Sequence, residues 1–594
     1  MSTGFNPIHT NNNNNDSLCY YFQQAFTTFE EKNTELENLP IIDAKFGILN
    51  FTAVHCLPTN VEQDFVFVID NSGSMSDLCS DKRTKMQHII HTLKKMVIYF
   101  RENPDIKANI TIFTFDDKFC KIVERTNIKE KIHEILDKID NIEPDGGTNI
   151  ELALKKTSDY IYDLRCLYPN NQINHIFMTD GEVTMGENDP NNLLRFIDKT
   201  VYNIFVGFGI NHDANLLNTI STGNKGAYYF VDEIEKAGLV YGEILHSLLY
   251  KMIYDVEICI TNGFIYNYIS NLWTNRLYIG DITGETNKIY HIISSCPDDC
   301  SVLIQSKKNR NDNFNTLSFN ITNKINIINL MGFDDINFDK YVFRQRTLEL
   351  LYEAKKCQQE QLEHYNYINH IDYIIDNFNT DEPKQSDEEL KNKYDSIEKN
   401  AVCIKKKMVN LLVEMKKYMQ DNNMCGDGFI TNLCSDIYVS HKTFGTRFGN
   451  MFICARQTSQ GTQRGYTVCK TPDLSHDSNS GNIRRFSRAP PKLSRHSNTC
   501  KYNDLLEPDE LSEPYEVSEI EDSFYNFENA PYLTPTATQI MRSVSENTSD
   551  TTKFHFYLSD DDDTDIDNYN DNNDNNDNND NNDTNSTTSL FYSP

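Results

Sequence analysis

The chain has 594 residues, 38% of them hydrophobic, and a formal net charge of −31; that length exceeds one hydrophobic core and predicts two or three folded units with linkers. Spread evenly, such a charge would exclude nucleic acid and anionic membranes as main partners, but much of it sits near the C-terminus and says little about the folded part. Residues 1–15 are polar and Asn-rich, so export is not expected, and no apolar run approaches the ~18 residues that span a bilayer.

Residues 1–60 read as an N-terminal extension with a disordered start. From 61 to 252, short β-rich apolar runs alternate with amphipathic stretches, the signature of βαβ units around a doubly wound, mainly parallel sheet. The spacing predicts strands at 64–70, 108–115, 175–180, 201–208 and 227–231, with an edge strand at 119–124. Helices are predicted at 82–100, 128–138, 149–164, 191–199, 213–221 and 234–251. Across 253–335 the period changes to short strands separated by turns, at 256–260, 276–279, 288–293, 301–304 and 316–321, which predicts a small antiparallel β domain.

Residues 336–425 read as a helical hairpin, 339–378 and 386–422, broken around Pro383. In the second helix Leu390, Tyr394, Ile397, Ala401, Ile404, Met408, Leu411 and Met415 form a heptad seam. An intramolecular partner is expected for it, because the first helix is close in sequence; a dimerising coiled coil is the alternative, and the oligomeric state stays open. Residues 426–471 read as a loop-rich segment in which Arg456 and Arg464 make either a peptide or phosphate contact or none. Residues 472–594 collapse into Ser, Asn and Asp, with a basic island at 484–488 and an Asn/Asp run at 560–585, and are expected to be disordered.

The chemistry is concentrated in three segments. In FVFVIDNSGSM (65–75) a buried strand ends in Asp70 and is followed by Ser72 and Ser74 at alternate positions, with Gly73 allowing the turn. DGGTN (145–149) supplies Thr148, and MTDG (178–181) supplies Asp180. In an open parallel sheet, ligands collect at the carboxyl edge of the strands, so these segments are expected to converge there. Asp70 with the Ser72 and Ser74 hydroxyls makes a partial oxygen cage for a hard cation such as Mg²⁺, which the two further segments complete. Asp116 and Asp117 follow a strand near the same edge and read equally as tuning groups or as a solvated turn.

FVFVIDNSGSM, DGGTNIELAL and IFMTDGE resemble the metal-ion-dependent adhesion site of the von Willebrand factor A family. The resemblance implies that Ser72, Ser74 and Thr148 supply hydroxyls while Asp70 and Asp180 bind directly or through water. It also implies one open position for an Asp or Glu carboxylate from a partner protein. GAYYFVDEIEKAGLVYGEILHSLLYKMIYDVEICI, LYIGDI and FRQRTLELL are more loosely similar to intracellular members in which this domain precedes a β domain and a helical segment. Some of those, including plant proteins with a zinc-binding RING, are ubiquitin ligases; no RING pattern is present here.

The expected function is therefore a non-enzymatic, metal-dependent protein-interaction module, with no nucleic acid partner. A ligase-system adaptor and a structural or virion component with a purely structural metal are the alternatives. No nucleophile and base occur at recognisable spacing, and no GxxxxGK[ST] phosphate loop is present. Gly207-Phe208-Gly209 reads as a tight turn, and His88 with His91 as packing or surface residues. The 15 cysteines are scattered, and Cys296 and Cys300 lack zinc-site spacing, which points to reduced thiols in an intracellular, cytoplasmic protein.

Overall fold

The computed structural model describes residues 4–7, 20–26, most of 36–307, 315–320, 337–378, 387–424, 427–466 and 530–545. In chain order the strands begin with β1 (Gly4–Pro7), β2 (Tyr20–Phe26), β3 (Lys45–Ala53) and β4 (Gln63–Asp70). Then come α1 (Lys85–Glu102), β5 (Ala108–Phe115), β6 (Phe119–Asn127), α2 (Ile132–Asp140), α3 (Ile150–Leu167) and β7 (Gln172–Thr179). After a short α4 (Pro190–Leu193) follow β8 (Tyr202–Phe208), α5 (Ala214–Gly223), β9 (Ala227–Val231) and α6 (Ala237–Leu249).

These elements build the expected α/β domain. Its sheet runs β6-β5-β4-β7-β8-β9, parallel throughout except for β6, which is an antiparallel edge strand. Every residue of β4, β5 and β7 is buried because helices cover both faces, which is why these strands read as continuous apolar runs. Phe65, Phe67 and Ile69 of β4 point into the layer shared with α1, α2 and α6, whereas Val66 and Val68 point into the layer with α3 and α5. The chain leaves β4 toward β5 on one side and returns as β7 on the other, so the end of β4 is a topological switch point.

The next strands are β10 (Lys251–Thr261), β11 (Phe264–Asn267), β12 (Leu272–Thr274), β13 (Arg276–Thr283), β14 (Asn287–Ser294), β15 (Ser301–Lys307) and β16 (Asn315–Asn320). They form two sheets, β1-β2-β3-β14-β11-β12 and β13-β10-β15-β16, whose pairings are antiparallel. Phe51, Val256, Ile258, Ile292 and Ile304 fill the space between them. The segment expected to be a separate N-terminal extension thus supplies β1, β2 and β3, three of the six strands of one sheet of this sandwich. Strand β3 pairs with β14 from Lys45↔Ser294 to Thr52↔Asn287, so the α/β domain is an insertion in the β sandwich. The sequence hid this because strand pairing across some 240 residues leaves no local mark.

Four helices complete the described chain: α7 (Phe338–Phe378), α8 (Asp387–Asp421), α9 (Gly428–Thr443) and α10 (Arg447–Thr462), with α11 (Pro535–Ser545) far downstream. Helices α7 and α8 form the predicted intramolecular hairpin, burying Leu351 and Ala354 against Ile404, Met408 and Met415. The expected loop-rich segment is instead α9 and α10. Asp427 caps α9 through the Phe429 and Ile430 amides, and Thr446 caps α10 through the Gly449 amide. The Gly, Ser and Thr content of α10 gives it poor helix propensity, yet it is buried on all sides, including Met451, Phe452, Ile453, Cys454 and Ala455; packing outweighs propensity. Arg456 is fully buried there against Asp436, at 3.3 Å, and Arg464 packs 3.8 Å over the Tyr229 ring. Neither side chain is a surface contact for a peptide or phosphate.

Residues 530–545 correct the expectation of a wholly disordered tail, since they fold onto the α/β domain. The basic island and the Asn/Asp run lie outside the described residues. No helix among the described residues is long and apolar enough to cross a membrane.

Candidate metal centre

Asp70 is the last residue of β4, and its carboxylate is completely buried at the carboxyl edge of the sheet. Its Oδ1 accepts the Ser72 amide at 2.9 Å and its Oδ2 accepts the Thr179 hydroxyl at 2.5 Å. A single 3₁₀ turn, Gly73–Ser76, then brings Ser74 back over the strand end. The Ser72 and Ser74 hydroxyls lie 3.1 Å apart, and the Ser74 hydroxyl donates to Asp180 Oδ1 at 2.8 Å. Four of the five predicted residues therefore form one hydrogen-bonded cluster.

Thr148 joins through its loop. The amide of Gly73 donates to the Gly146 carbonyl at 3.0 Å and the amide of Asp145 donates to the Asn71 carbonyl at 2.6 Å. These two backbone bonds lay the 145–148 loop along the 71–73 loop and bring a buried Thr148 to the same edge. Gly146 has φ +75°, and a Cβ there would lie 2.5 Å from Asp117 Oδ1 and 3.1 Å from Asp116 Cβ, so only glycine fits. The Thr148 amide donates to Thr184 Oγ1 at 2.7 Å, which ties this loop to the segment following Asp180.

Asp116 resolves into a supporting residue. Its Oδ1 accepts the Lys118 amide at 2.5 Å, its Oδ2 lies 3.4 Å from Asn71 Nδ2, and its carbonyl accepts the Asn149 amide at 3.0 Å. It fixes the loops behind the cluster and does not enter it. Of the two glycines read as a tight turn, Gly207 lies within β8, and Gly209 directly follows that strand at φ +68°. His91 is partly buried, and burial together with Lys95 and Arg83 pushes its imidazole down to about 4.

Lys85 is the residue that the sequence reading missed. It is the first residue of α1, and its Nζ donates to Asp180 Oδ2 at 2.6 Å and to Asp77 Oδ2 at 3.2 Å, with the Ser74 carbonyl at 3.4 Å. A lysine at a helix N-terminus opposes the helix dipole, and here two carboxylates compensate. Burial by itself would lower the Lys85 pKa, but Asp180 and Asp77 outweigh it and raise the ammonium above its ordinary value. A signal was present: Thr84 and Gln87 make a reciprocal capping box, at 3.1 and 2.9 Å, whose T-x-x-Q spacing marks where the helix starts. Thr179, the residue before Asp180, is a second supporting residue, and its hydroxyl donates to Asp70 Oδ2.

The charge distribution is uneven. Asp180 has an ammonium on one oxygen, whereas the partners of Asp70 are an amide and a hydroxyl, both neutral. Burial pushes the Asp70 carboxyl up to about 6, opposed by the Ser72 and Thr179 hydrogen bonds and reinforced by nearby Asp180. A fully buried carboxylate without a cation beside it, facing hydroxyl oxygens, is the arrangement that a hard cation satisfies. The donor set fits Mg²⁺ or Mn²⁺ better than a soft metal, because it is all oxygen. Among the described residues no group of three or more His, Cys, Asp or Glu is placed so as to hold a metal ion.

Residues 64–242 match the family model of the von Willebrand factor type A domain. Similar solved structures include the ArnB paralog VWA2 from Sulfolobus acidocaldarius, at 11% identity over 75% of this chain and 100% of that one, with TM-score 0.43. A von Willebrand factor type A protein from Catenulispora acidiphila aligns at 14% identity over 59% of this chain and 84% of that one, with TM-score 0.40. Proximal thread matrix protein 1 from the mussel byssus, with a zinc-occupied MIDAS motif, aligns at 21% identity over 30% of this chain and 44% of that one, with TM-score 0.23. No curated protein matches the chain.

Proposed function

We propose that the von Willebrand factor type A domain at residues 64–242 is a cation-dependent protein-interaction module and not an enzyme. Domains of this type mediate protein–protein interaction, and the finer reading concerns how this one does so. Asp70, Ser72, Ser74, Thr148 and Asp180 would hold Mg²⁺ or Mn²⁺, leaving a coordination position for an Asp or Glu side chain of a partner protein. The observation that carries the reading is the buried Asp70 carboxylate, which has only neutral hydrogen-bond donors.

This chain's own residues prepare the site in three ways. Thr179 and the Ser72 amide fix the Asp70 carboxylate so that little reordering accompanies cation entry. Ser74 and the Gly73 turn stand at the more open side, where a partner would approach. Lys85 neutralises Asp180 from behind, so the two carboxylates carry one excess negative charge. A divalent cation bound there would stay net positive and favour an anionic ligand.

The test is a pull-down from native lysate with wild type, with Asp70→Ala plus Ser72→Ala, and with wild type under EDTA. Proteins retained by wild type with Mg²⁺ and lost in both other arms support the reading; an unchanged set in all three contradicts it.

A further inference from the structure

The face of the domain formed by α1 and α6 is covered by a helix that arrives from far along the chain. Between residue 466 and residue 530 the sequence is polar, yet 530–545 returns to this face. Helix α11 presents Ala537, Ile540, Met541 and Val544, spaced as i, i+3, i+4 and i+7, and all four are buried while Gln539, Arg542 and Ser543 stay exposed. Ile540 and Val544 join the apolar layer of Val240, Ile244, Met96 and Phe100.

The receiving surface is shaped for this guest. Gly242 lies inside α6, where glycine is unfavourable, and a Cβ there would meet Met541 Cβ at 2.8 Å and its Cα at 2.9 Å. The glycine lets the two helix backbones approach. Directional bonds fix the register: Glu285 Oε2 accepts the Thr536 amide at 2.9 Å, and Tyr532 donates to Gln460 Oε1 at 2.8 Å. Thr534 caps the helix, its Oγ1 accepting the Ala537 amide at 3.1 Å and lying 3.4 Å from His246 Nε2.

We infer that the α1–α6 groove is a binding site for an amphipathic helix, that its occupant is this chain's own residues 530–545, and that phosphorylation of Thr534 releases them. Thr534 precedes Pro535, the acceptor pair used by proline-directed kinases. The γ-phosphoryl group of a nucleoside triphosphate would pass to Thr534 Oγ1 during a transient opening, the nucleoside diphosphate leaving and the hydroxyl proton going to solvent. In the docked segment Thr534 is 5% exposed, so a phosphate of nearly two negative charges would have to be desolvated there. Glu243 and Glu285 are in the immediate surroundings, and His246 is held neutral by burial, its imidazole pushed down to about 4. The partly buried cations on that side, Lys288 and Arg464, both act on Glu243, and Lys288 also reaches His246. A helix N-terminus attracts anions, but that attraction is small beside the cost of burying an ion, so undocking wins. The inference stands apart from the cation site and survives if that site fails.

The test uses the full chain carrying Ile540→Asp and Met541→Asp, which empties the groove, and a fluorescent peptide of residues 528–547 read by anisotropy. Saturable binding to this variant, little binding to wild type, and at least about tenfold weaker binding of the peptide phosphorylated at Thr534 are expected. Equal or absent binding by variant and wild type overturns the groove; equal or tighter binding of the phosphopeptide overturns the release. Should the double variant not fold, hydrogen exchange of full-length Thr534→Glu decides: amides of 237–249 and 535–545 should exchange faster than in wild type, and unchanged protection contradicts the inference.

Discussion

Strand β4 carries a buried aspartate near each end, and the two are treated differently. At the amino end Asp64 receives Arg125 Nε at 2.7 Å and Asn171 Nδ2 at 2.8 Å, with Arg125 stacked 3.7 Å over the Tyr168 ring. At the carboxyl end Asp70 receives one amide and one hydroxyl, with Lys85 committed to neighbouring Asp180. The first carboxylate is neutralised by the protein itself and serves the fold. The second is buried without that neutralisation, which is the condition of a site awaiting a cation from outside.

The comparison breaks most sharply at its structural end. Arg125→Ala leaves Asp64 buried without its cation and should lower the unfolding free energy by roughly 3 kcal/mol or more. Denaturant titration should give the same loss with Mg²⁺ or with EDTA, since this end is remote from the proposed ligands.

At the other end the prediction concerns pH. Asp70 is raised from its ordinary value to about 6, so the protonated form is the one that folding favours. Its contribution is fully present below about pH 4 and is lost as pH rises through about 6, on the order of 3 kcal/mol for a fully buried group. In EDTA, wild type should therefore lose stability relative to Asp70→Asn between about pH 4 and pH 7. Saturating Mg²⁺ should remove much of that difference; parallel stability curves for the two proteins would contradict it.

Two smaller effects sharpen the contrast. Mg²⁺ at about a hundredfold above its Kd should stabilise wild type by about 2.7 kcal/mol in thermal melts and leave Asp70→Ala unmoved. Lys85→Met should bind Mn²⁺ about tenfold more tightly, because a competing charge beside Asp180 is gone, while being less stable in EDTA. Unchanged affinity, read by Mn²⁺ electron spin resonance titration, would show that Lys85 has no part in the site's charge balance.

The sequence made the site legible where chemistry sits at the end of an apolar run. Asp70 closes β4 and Asp180 directly follows β7, strands whose residues are buried on both faces, so each strand and its ligand are read together. Lys85 was not legible, because its partner Asp180 lies 95 positions away and only the Thr84 cap places it. The parallel sheet could be read because helices on both faces force continuous apolar strands. The β sandwich was half read: β3 finds β14 across the whole inserted domain. Helix α10 was missed because burial stabilises a sequence that would not be helical alone, and α11 because four apolar residues in a polar tail resemble noise until Gly242 shows where they land.

Isothermal titration of Mg²⁺ into the full chain tests the central claim most directly, with Asp70→Ala plus Ser72→Ala as the paired variant. The account predicts binding of one ion per wild-type chain and none at that site in the variant. No binding by wild type, or equal binding by both, would contradict it.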